Sequence, residues 1–283
     1  VPLKKMAKAI PEGRPNMLLL GFAATLVGLP DDSVSRAVEK SLAKRPAALP
    51  PSLAAVAAGR EAAAAVERRY ALAPAPGRGA ARWLLTGNEA AGYGAIRGGV
   101  RFVAAYPITP ATELLEWMSP ALAEVGGTLV QAEDELASIN MAIGGSYGGV
   151  PSLTATSGPG FALMVESLGL AVASETPVVV VDVMRVGPST GIPTKSEQGD
   201  LNIALYGLHG DAPHLVLAPN SVADCLRTTQ WAVQLAEALQ VPAIVLSDQF
   251  FGQTRAVIDE PVELGIGTGP VRLIAEAKSP DFR

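Results

Sequence analysis

Hydrophobic positions along this chain follow two different rhythms. Over residues 1–73 they come in long helical stretches. Asn16 to Leu29 predicts an apolar helix ended by Pro30. Asp31, Asp32 and Ser33 offer N-cap oxygens to a second helix running to about Lys44, and Ser52 to about Leu72 predicts a third, rich in alanine. Residues 1–15, basic and bearing Pro and Gly, read as a connector. Three helices without a strand read as the tail end of something larger. Pro74, Pro76, Gly77, Arg78 and Gly79 then mark a linker over 74–82.

Beyond the linker, short apolar runs at 82–86, 101–105, 128–132, 151–155, 177–184, 214–218 and 242–247 alternate with helical stretches. The helices are expected at about 88–99, 111–125, 135–149, 160–174, 197–206 and 221–239. Such alternation predicts an α/β domain over 83–262, a parallel sheet sandwiched by helices. Residues 263–283 hold one more strand candidate, Val271 to Ala275, and read as a connection towards a following domain.

Composition narrows the function. The chain has 283 residues, a formal charge of −5 and 17% charged residues, with a mean hydropathy of +0.29. Little charged surface points to burial in an oligomer. No basic stripe supports nucleic-acid binding, and the longest apolar runs are too short to span a bilayer. Cys225 is the only cysteine, so the chain alone can build neither a disulfide nor a cysteine-ligated iron–sulfur cluster. With only His209 and His214, a histidine-based metal site is not expected, and no metal ligand is assigned. The start lacks a signal peptide, which makes the cytoplasm the expected compartment. It also lacks a methionine, as in a fragment or a processed product.

Four polar clusters follow predicted strands and should gather on one edge of the sheet, where such folds hold ligands. In Glu133-Asp134-Glu135, the first two acids read as cap and surface groups of a helix start. Glu135 opens a helix bearing Ser138, Ala142, Gly145 and Gly149 on one face, small enough for a backbone or flat ligand to approach. A carboxylate at that junction can act as a proton partner. In Tyr106-Pro107-Ile108-Thr109-Pro110, Thr109 is either the helix N-cap or a hydroxyl presented to a small polar ligand. Thr156-Ser157-Gly158-Pro159-Gly160 lacks the spacing of a phosphate cradle and reads as a tight turn.

The loop from Arg185 to Lys195 joins one guanidinium to Ser189, Thr190 and Thr194, with two prolines limiting its freedom. Such donors suit a carboxylate, which Arg grips with parallel hydrogen bonds. The alternative is a structural arginine paired with Asp182 or Asp200. His209 reads as a turn residue and His214 as a satisfied edge residue. Met164, Phe161 and Trp231 fall at core positions.

Together, YPITPATE (106–113), AEDELASIN (132–140), TATSGPGF (154–161), RVGPSTGIPTK (185–195), Gln198 to Leu201 and Leu246 to Gln249 resemble the α subunit of the 2-oxoacid:ferredoxin oxidoreductases, most closely the 2-oxoglutarate type. The resemblance covers 84 to about 260. It implies a thiamine diphosphate pyrimidine-binding domain preceded by the C-terminal portion of a γ (acceptor) domain. It places on Glu135 the glutamate that hydrogen-bonds the aminopyrimidine ring and promotes ylide formation. Thr109, Arg185 and Thr194 fall on positions that hold the 2-oxoacid. A β subunit is implied to carry the diphosphate, Mg²⁺ and a [4Fe–4S] cluster. Coenzyme A and ferredoxin are the further partners, in a hetero-oligomer such as (αβ)2. The chain departs from the family at Ala111, where serine is usual, and at Met184 and Val186 beside the arginine, which touches substrate preference. The competing readings are a non-oxidative thiamine diphosphate enzyme and a non-catalytic scaffold or fragment.

Overall fold

A computed structural model describes residues 2–67, 70, 72, 81–192 and 194–261. The linker residues Pro74 to Gly79 and the strand candidate Val271 to Ala275 lie outside the described residues. The chain divides into two units, Val1–Gly79 and Ala80–Arg283.

Helices α1 (Leu3–Lys8), α2 (Pro15–Leu26), α3 (Asp31–Ser41) and α4 (Leu49–Ala64) build the first unit. The expected connector therefore contains a helix, and the third predicted helix stops at Ala64 rather than Leu72. Asp31 and Asp32 sit inside the first turn of α3 and make no side-chain cap, because Pro30 occupies the N-cap position. Their charge still complements the helix dipole. Leu18, Ala55 and Val56 are buried where α2 meets α4, and Val34 and Val38 turn the apolar stripe of α3 inward.

In the second unit the strands are β1 (Arg82–Thr86), β2 (Phe102–Ala105), β3 (Thr128–Gln131), β4 (Ser152–Thr156), β5 (Val179–Met184), β6 (Leu215–Leu217), β7 (Ala243–Asp248) and β8 (Arg255–Asp259). Helices α5 (Gly87–Gly98), α6 (Thr112–Glu124), α7 (Glu135–Tyr147), α8 (Gly158–Ala173), α9 (Leu201–Tyr206), α10 (Val222–Leu239) and α11 (Gln249–Gln253) connect them. Six strands pair in the order β3-β2-β4-β5-β7-β6, every pairing parallel. The parallel sheet flanked by helices is as the strand–helix rhythm predicts. The first predicted strand is an exception. β1 stays out of this sheet and pairs antiparallel with β8, Leu84 opposite Val257.

Burial on both faces explains the near-continuous apolar runs. In β5, Val179, Val181 and Val183 pack with α5, α6 and α10, while Val180 and Met184 face α7, α8 and α9. That alternation puts Asp182 on the second face. The chain leaves β2 for β3 on one side and continues from β4 to β5 on the other. The strand order thus reverses between β2 and β4, opening a crevice at their carboxyl ends.

Candidate functional site

The turns after β2, β3, β4 and β5 all leave the same edge of the sheet, because the strands are parallel. Glu135 opens α7. Asp134 is its N-cap and accepts the Ala137 N–H at 2.7 Å, which satisfies a donor the helix cannot. Glu133 and Asp134 are exposed, whereas Glu135 is buried, only 9% exposed. So one acid of the three turns inward, towards the crevice.

Glu135 meets the glycine turn after β4. A Cβ placed on Gly160 would stand 2.8 Å from Glu135 Oε1 and 2.2 Å from Thr156 Oγ1. Only a hydrogen fits between the two oxygens and the backbone. The turn thus serves close approach, as the glycines suggest, and it is the carboxylate that approaches. The small face of α7 does something else. A Cβ at Gly145 would meet Phe102 Cδ1 at 2.6 Å and Ser152 Oγ at 2.8 Å, so this face closes on the chain's own sheet. Ser138 and Ala142 are fully buried with it. It is not open to a flat ligand.

Arg185 is 7% exposed. Its Nη1 donates to the Thr109 carbonyl at 2.6 Å and its Nη2 to the Thr190 carbonyl at 3.4 Å. Nε is buried and has no hydrogen-bond partner among the described residues. The Val186 N–H donates to the Lys195 carbonyl at 2.8 Å, closing the base of the loop. Thr194 is half-buried next to that closure. The structural pairing of Arg185 with an aspartate does not occur, since the described ion pairs involve other residues. Two backbone carbonyls hold the guanidinium instead and leave its charge uncancelled.

Asp182 and Asp200 face each other. Burial drives the Asp182 carboxyl well above its ordinary range and the charge of Asp200 adds to the shift, while both Asp182 oxygens are buried without a hydrogen-bond partner among the described residues. Burial also raises Asp200. Asp200 lies against the start of α8, its Oδ2 standing 2.6 Å from where a Cβ on Gly158 would be.

Thr109 does not cap α6. The helix starts at Thr112 with Ala111 in the N-cap position and no side-chain cap. Thr109 is exposed, its carbonyl turned in to Arg185. Phe161 and Met164 are fully buried, but Trp231 is 49% exposed and is no core residue, because it sits on the outer side of α10. Both ring nitrogens of His214 lie 2.7 Å from carbonyl oxygens, those of Ala212 and Ala204, as suits a satisfied edge residue. His209 is exposed between the bends at Leu208 and Gly210.

One residue of this edge escapes the sequence reading. Asn88 is 1% exposed and donates from Nδ2 to the Pro110 carbonyl at 2.9 Å and to Glu113 Oε2 at 3.1 Å. Its signal was the capping box around it. Thr86 Oγ1 accepts the Glu89 N–H at 3.1 Å, and the Glu89 side chain accepts the Thr86 N–H at 2.7 Å. Among the described residues no cluster of three or more His, Cys, Asp or Glu could hold a metal ion, and no helix is long and apolar enough to cross a membrane.

A buried acid at the crevice of a parallel sheet, beside a glycine that clears room for it, suits a domain receiving the ring of a thiamine cofactor. The chain belongs to the pyruvate flavodoxin/ferredoxin oxidoreductase family, whose thiamine diphosphate-binding region matches residues 93–265. It is 51% identical over 178 residues to the 2-oxoglutarate synthase subunit KorA of Archaeoglobus fulgidus, covering 63% of this chain and 51% of that protein. To the 2-oxoglutarate oxidoreductase subunit KorA of Mycobacterium tuberculosis it is 39% identical over 241 residues, covering 82% of this chain and 37% of the relative. A solved 2-oxoglutarate:ferredoxin oxidoreductase from Magnetococcus marinus, with 2-oxoglutarate, coenzyme A and succinyl-CoA bound, superposes with a TM-score of 0.84 at 42% identity. That match covers 93% of this chain and 46% of the other. The chain thus spans about half the length, or less, of these relatives.

Proposed function

We propose that this chain is the pyrimidine-binding part of the α subunit of a 2-oxoacid:ferredoxin oxidoreductase. The complex converts 2-oxoglutarate and coenzyme A to succinyl-CoA, CO₂ and reduced ferredoxin. The observation that carries this reading is the inward-turned Glu135 against Gly160, within a region matching the thiamine diphosphate-binding family.

Bound thiamine diphosphate would supply the carbanion chemistry that breaks the bond to the 2-oxoacid carboxyl group. The chain's residues then have separate tasks. Glu135 would share a proton with a ring nitrogen of the aminopyrimidine, serving as its proton partner. Its carboxylate is hydrogen-bonded to none of the described residues, which keeps it available. Gly160 and Thr156 fix where the carboxylate stands. Arg185, still carrying an unpartnered Nε, holds the carboxylate of the 2-oxoacid by charge and hydrogen bond. The hydroxyls of Thr109 and Thr194 complete that grip.

The β subunit holds the diphosphate, Mg²⁺ and the [4Fe–4S] cluster in this reading; the single cysteine of this sequence is in keeping with a cluster held elsewhere. Its contact surface is supported by the outward apolar side chains of the two helices that start beside Glu135: Leu136, Met141 and Tyr147 on α7, with Leu163 and Leu170 on α8. We take the complex to be a cytoplasmic (αβ)2 assembly that delivers electrons to ferredoxin; the relatives' names support a multi-subunit oxidoreductase, and the Magnetococcus enzyme is a ferredoxin oxidoreductase by name. The unit Val1–Gly79 is taken as the C-terminal portion of a γ domain, in keeping with the extent of the Magnetococcus match.

The test is to assemble the chain, in its full-length context, with its β-type subunit. 2-Oxoglutarate and pyruvate are then compared as substrates, with coenzyme A and methyl viologen. Preference for 2-oxoglutarate, abolished in Glu135→Ala, is expected. Full turnover in Glu135→Ala would refute the assignment.

A further inference from the structure

The turn that carries Thr109 is held by two consecutive carbonyls. Arg185 takes the oxygen of Thr109 at 2.6 Å, and Asn88 takes that of Pro110 at 2.9 Å. The donors follow strands of different sheets. Arg185 directly follows β5 of the main sheet, while Asn88 lies in the first turn of α5, which follows β1 of the separate two-stranded sheet. With both carbonyls drawn inward, the Thr109 side chain is left at the exposed sheet edge.

Asn88 is itself held from two further sides. Its amide also donates to Glu113 Oε2 at 3.1 Å, and Glu113 Oε1 accepts from Gln253 Nε2 at 2.9 Å. Gly252 crowds its other end: a Cβ there would lie 3.0 Å from Asn88 Oδ1. An amide with so many fixed neighbours has one workable orientation. A buried donor that fixes a turn at one carbonyl restricts the turn at the cost of little entropy of its own.

We propose that Asn88 is a positioning residue for the 2-oxoacid: by holding the Pro110 carbonyl it sets where Thr109 stands relative to Arg185. The inference rests on the reading that Thr109 and Arg185 bind the substrate carboxylate. Glu113 and Gln253 act one step further out, by orienting the Asn88 amide.

The experiment uses the assembled complex and combines kinetics with amide exchange. Asn88→Ala is expected to raise KM for 2-oxoglutarate about tenfold with a much smaller change in kcat, because a donor to the turn is lost. Half-saturation by thiamine diphosphate stays in place. Amide exchange across 108–112 quickens before any substrate is added. In a Thr109→Val background the same change adds no more than about twofold, since the group it positions is already gone. Should Asn88→Ala lower only the thermal midpoint, with KM and exchange as in the wild type, Asn88 merely packs and the proposal is overturned. Multiplication of the two KM effects would overturn it as well. If Thr109→Val alone leaves KM unchanged, the underlying substrate reading fails, and the proposal falls with it. That failure differs from a failure of Asn88 alone, in which Thr109→Val still raises KM. Should Asn88→Ala not assemble, the exposed Gln253→Ala releases Glu113 Oε1 and is expected to show the same signature at about two- to threefold.

Discussion

Arg185 donates to the carbonyl of Thr109 at 2.6 Å, a contact between residues 76 apart in the chain. It joins the end of β5 to the turn after β2 across the intervening strand β4, and so spans the crevice. Lysine lacks the planar fork that reaches the Thr109 and Thr190 carbonyls at once. Arg185→Lys is therefore expected to lower kcat/KM for the 2-oxoacid by about 10- to 100-fold. Faster amide exchange over 186–195 should accompany it, and unchanged kinetics would separate Arg185 from substrate binding.

Gly160 offers a test of Glu135 that leaves the acid in place. Alanine there would press its Cβ to 2.2 Å from Thr156 Oγ1 and 2.8 Å from Glu135 Oε1, so the carboxylate or the turn has to move. The expected cost is about 1–3 kcal/mol of stability. A drop in thiamine diphosphate affinity larger than that stability loss explains is also expected, read from a cofactor titration of the complex.

The Asp182–Asp200 pair makes stability depend on pH in a defined direction. Both carboxyls are raised above the ordinary value of 3.8, chiefly by burial. Above that value the unfolded chain releases protons that the folded chain keeps, so stability falls as pH rises towards the folded-state values. Asp182→Asn stays neutral, and its amide can donate to Asp200. Its thermal midpoint relative to wild type should climb between pH 4 and neutrality. Parallel curves would show that the pair does not titrate in this window.

Glu237, on α10, gives a second, independent pH effect. Burial raises its carboxyl from 4.5 to about 7. The neutral acid favours the folded state, and that contribution is lost as pH passes through 7. Glu237→Gln should match wild type in thermal midpoint near pH 4 and exceed it at pH 8. Equal midpoints at both would contradict the shift.

The main sheet was legible because its strands are buried on both faces. Such strands leave short apolar runs between helices, and the runs at 101–105, 128–132, 151–155, 177–184, 214–218 and 242–247 match β2 to β7 to within two residues at each end. β8 and α11 are not among the elements the sequence pattern predicts. Arg255 to Asp259 alternates exposed and half-buried positions on a two-stranded ribbon, a weaker pattern. The inward turn of Glu135 could be suspected from its place at the helix start, but three acids in a row look alike until the N-cap is known.

The sequence by itself determined the six parallel strands with the helices between them, and that the loops bearing Thr109, Glu135, Arg185 and Thr194 leave one edge of that sheet. These follow from spacing and burial within a few residues, and from strands running one way. Only the tertiary structure decided which groups meet: Glu135 with Gly160, Asp182 with Asp200, and Arg185 with the Thr109 carbonyl. It also turned the small face of α7 onto the sheet and brought Asn88 to Pro110. Such partners lie tens of residues apart, and strand order together with side-chain direction sets their distances. A linear pattern carries no record of either until the sheet closes.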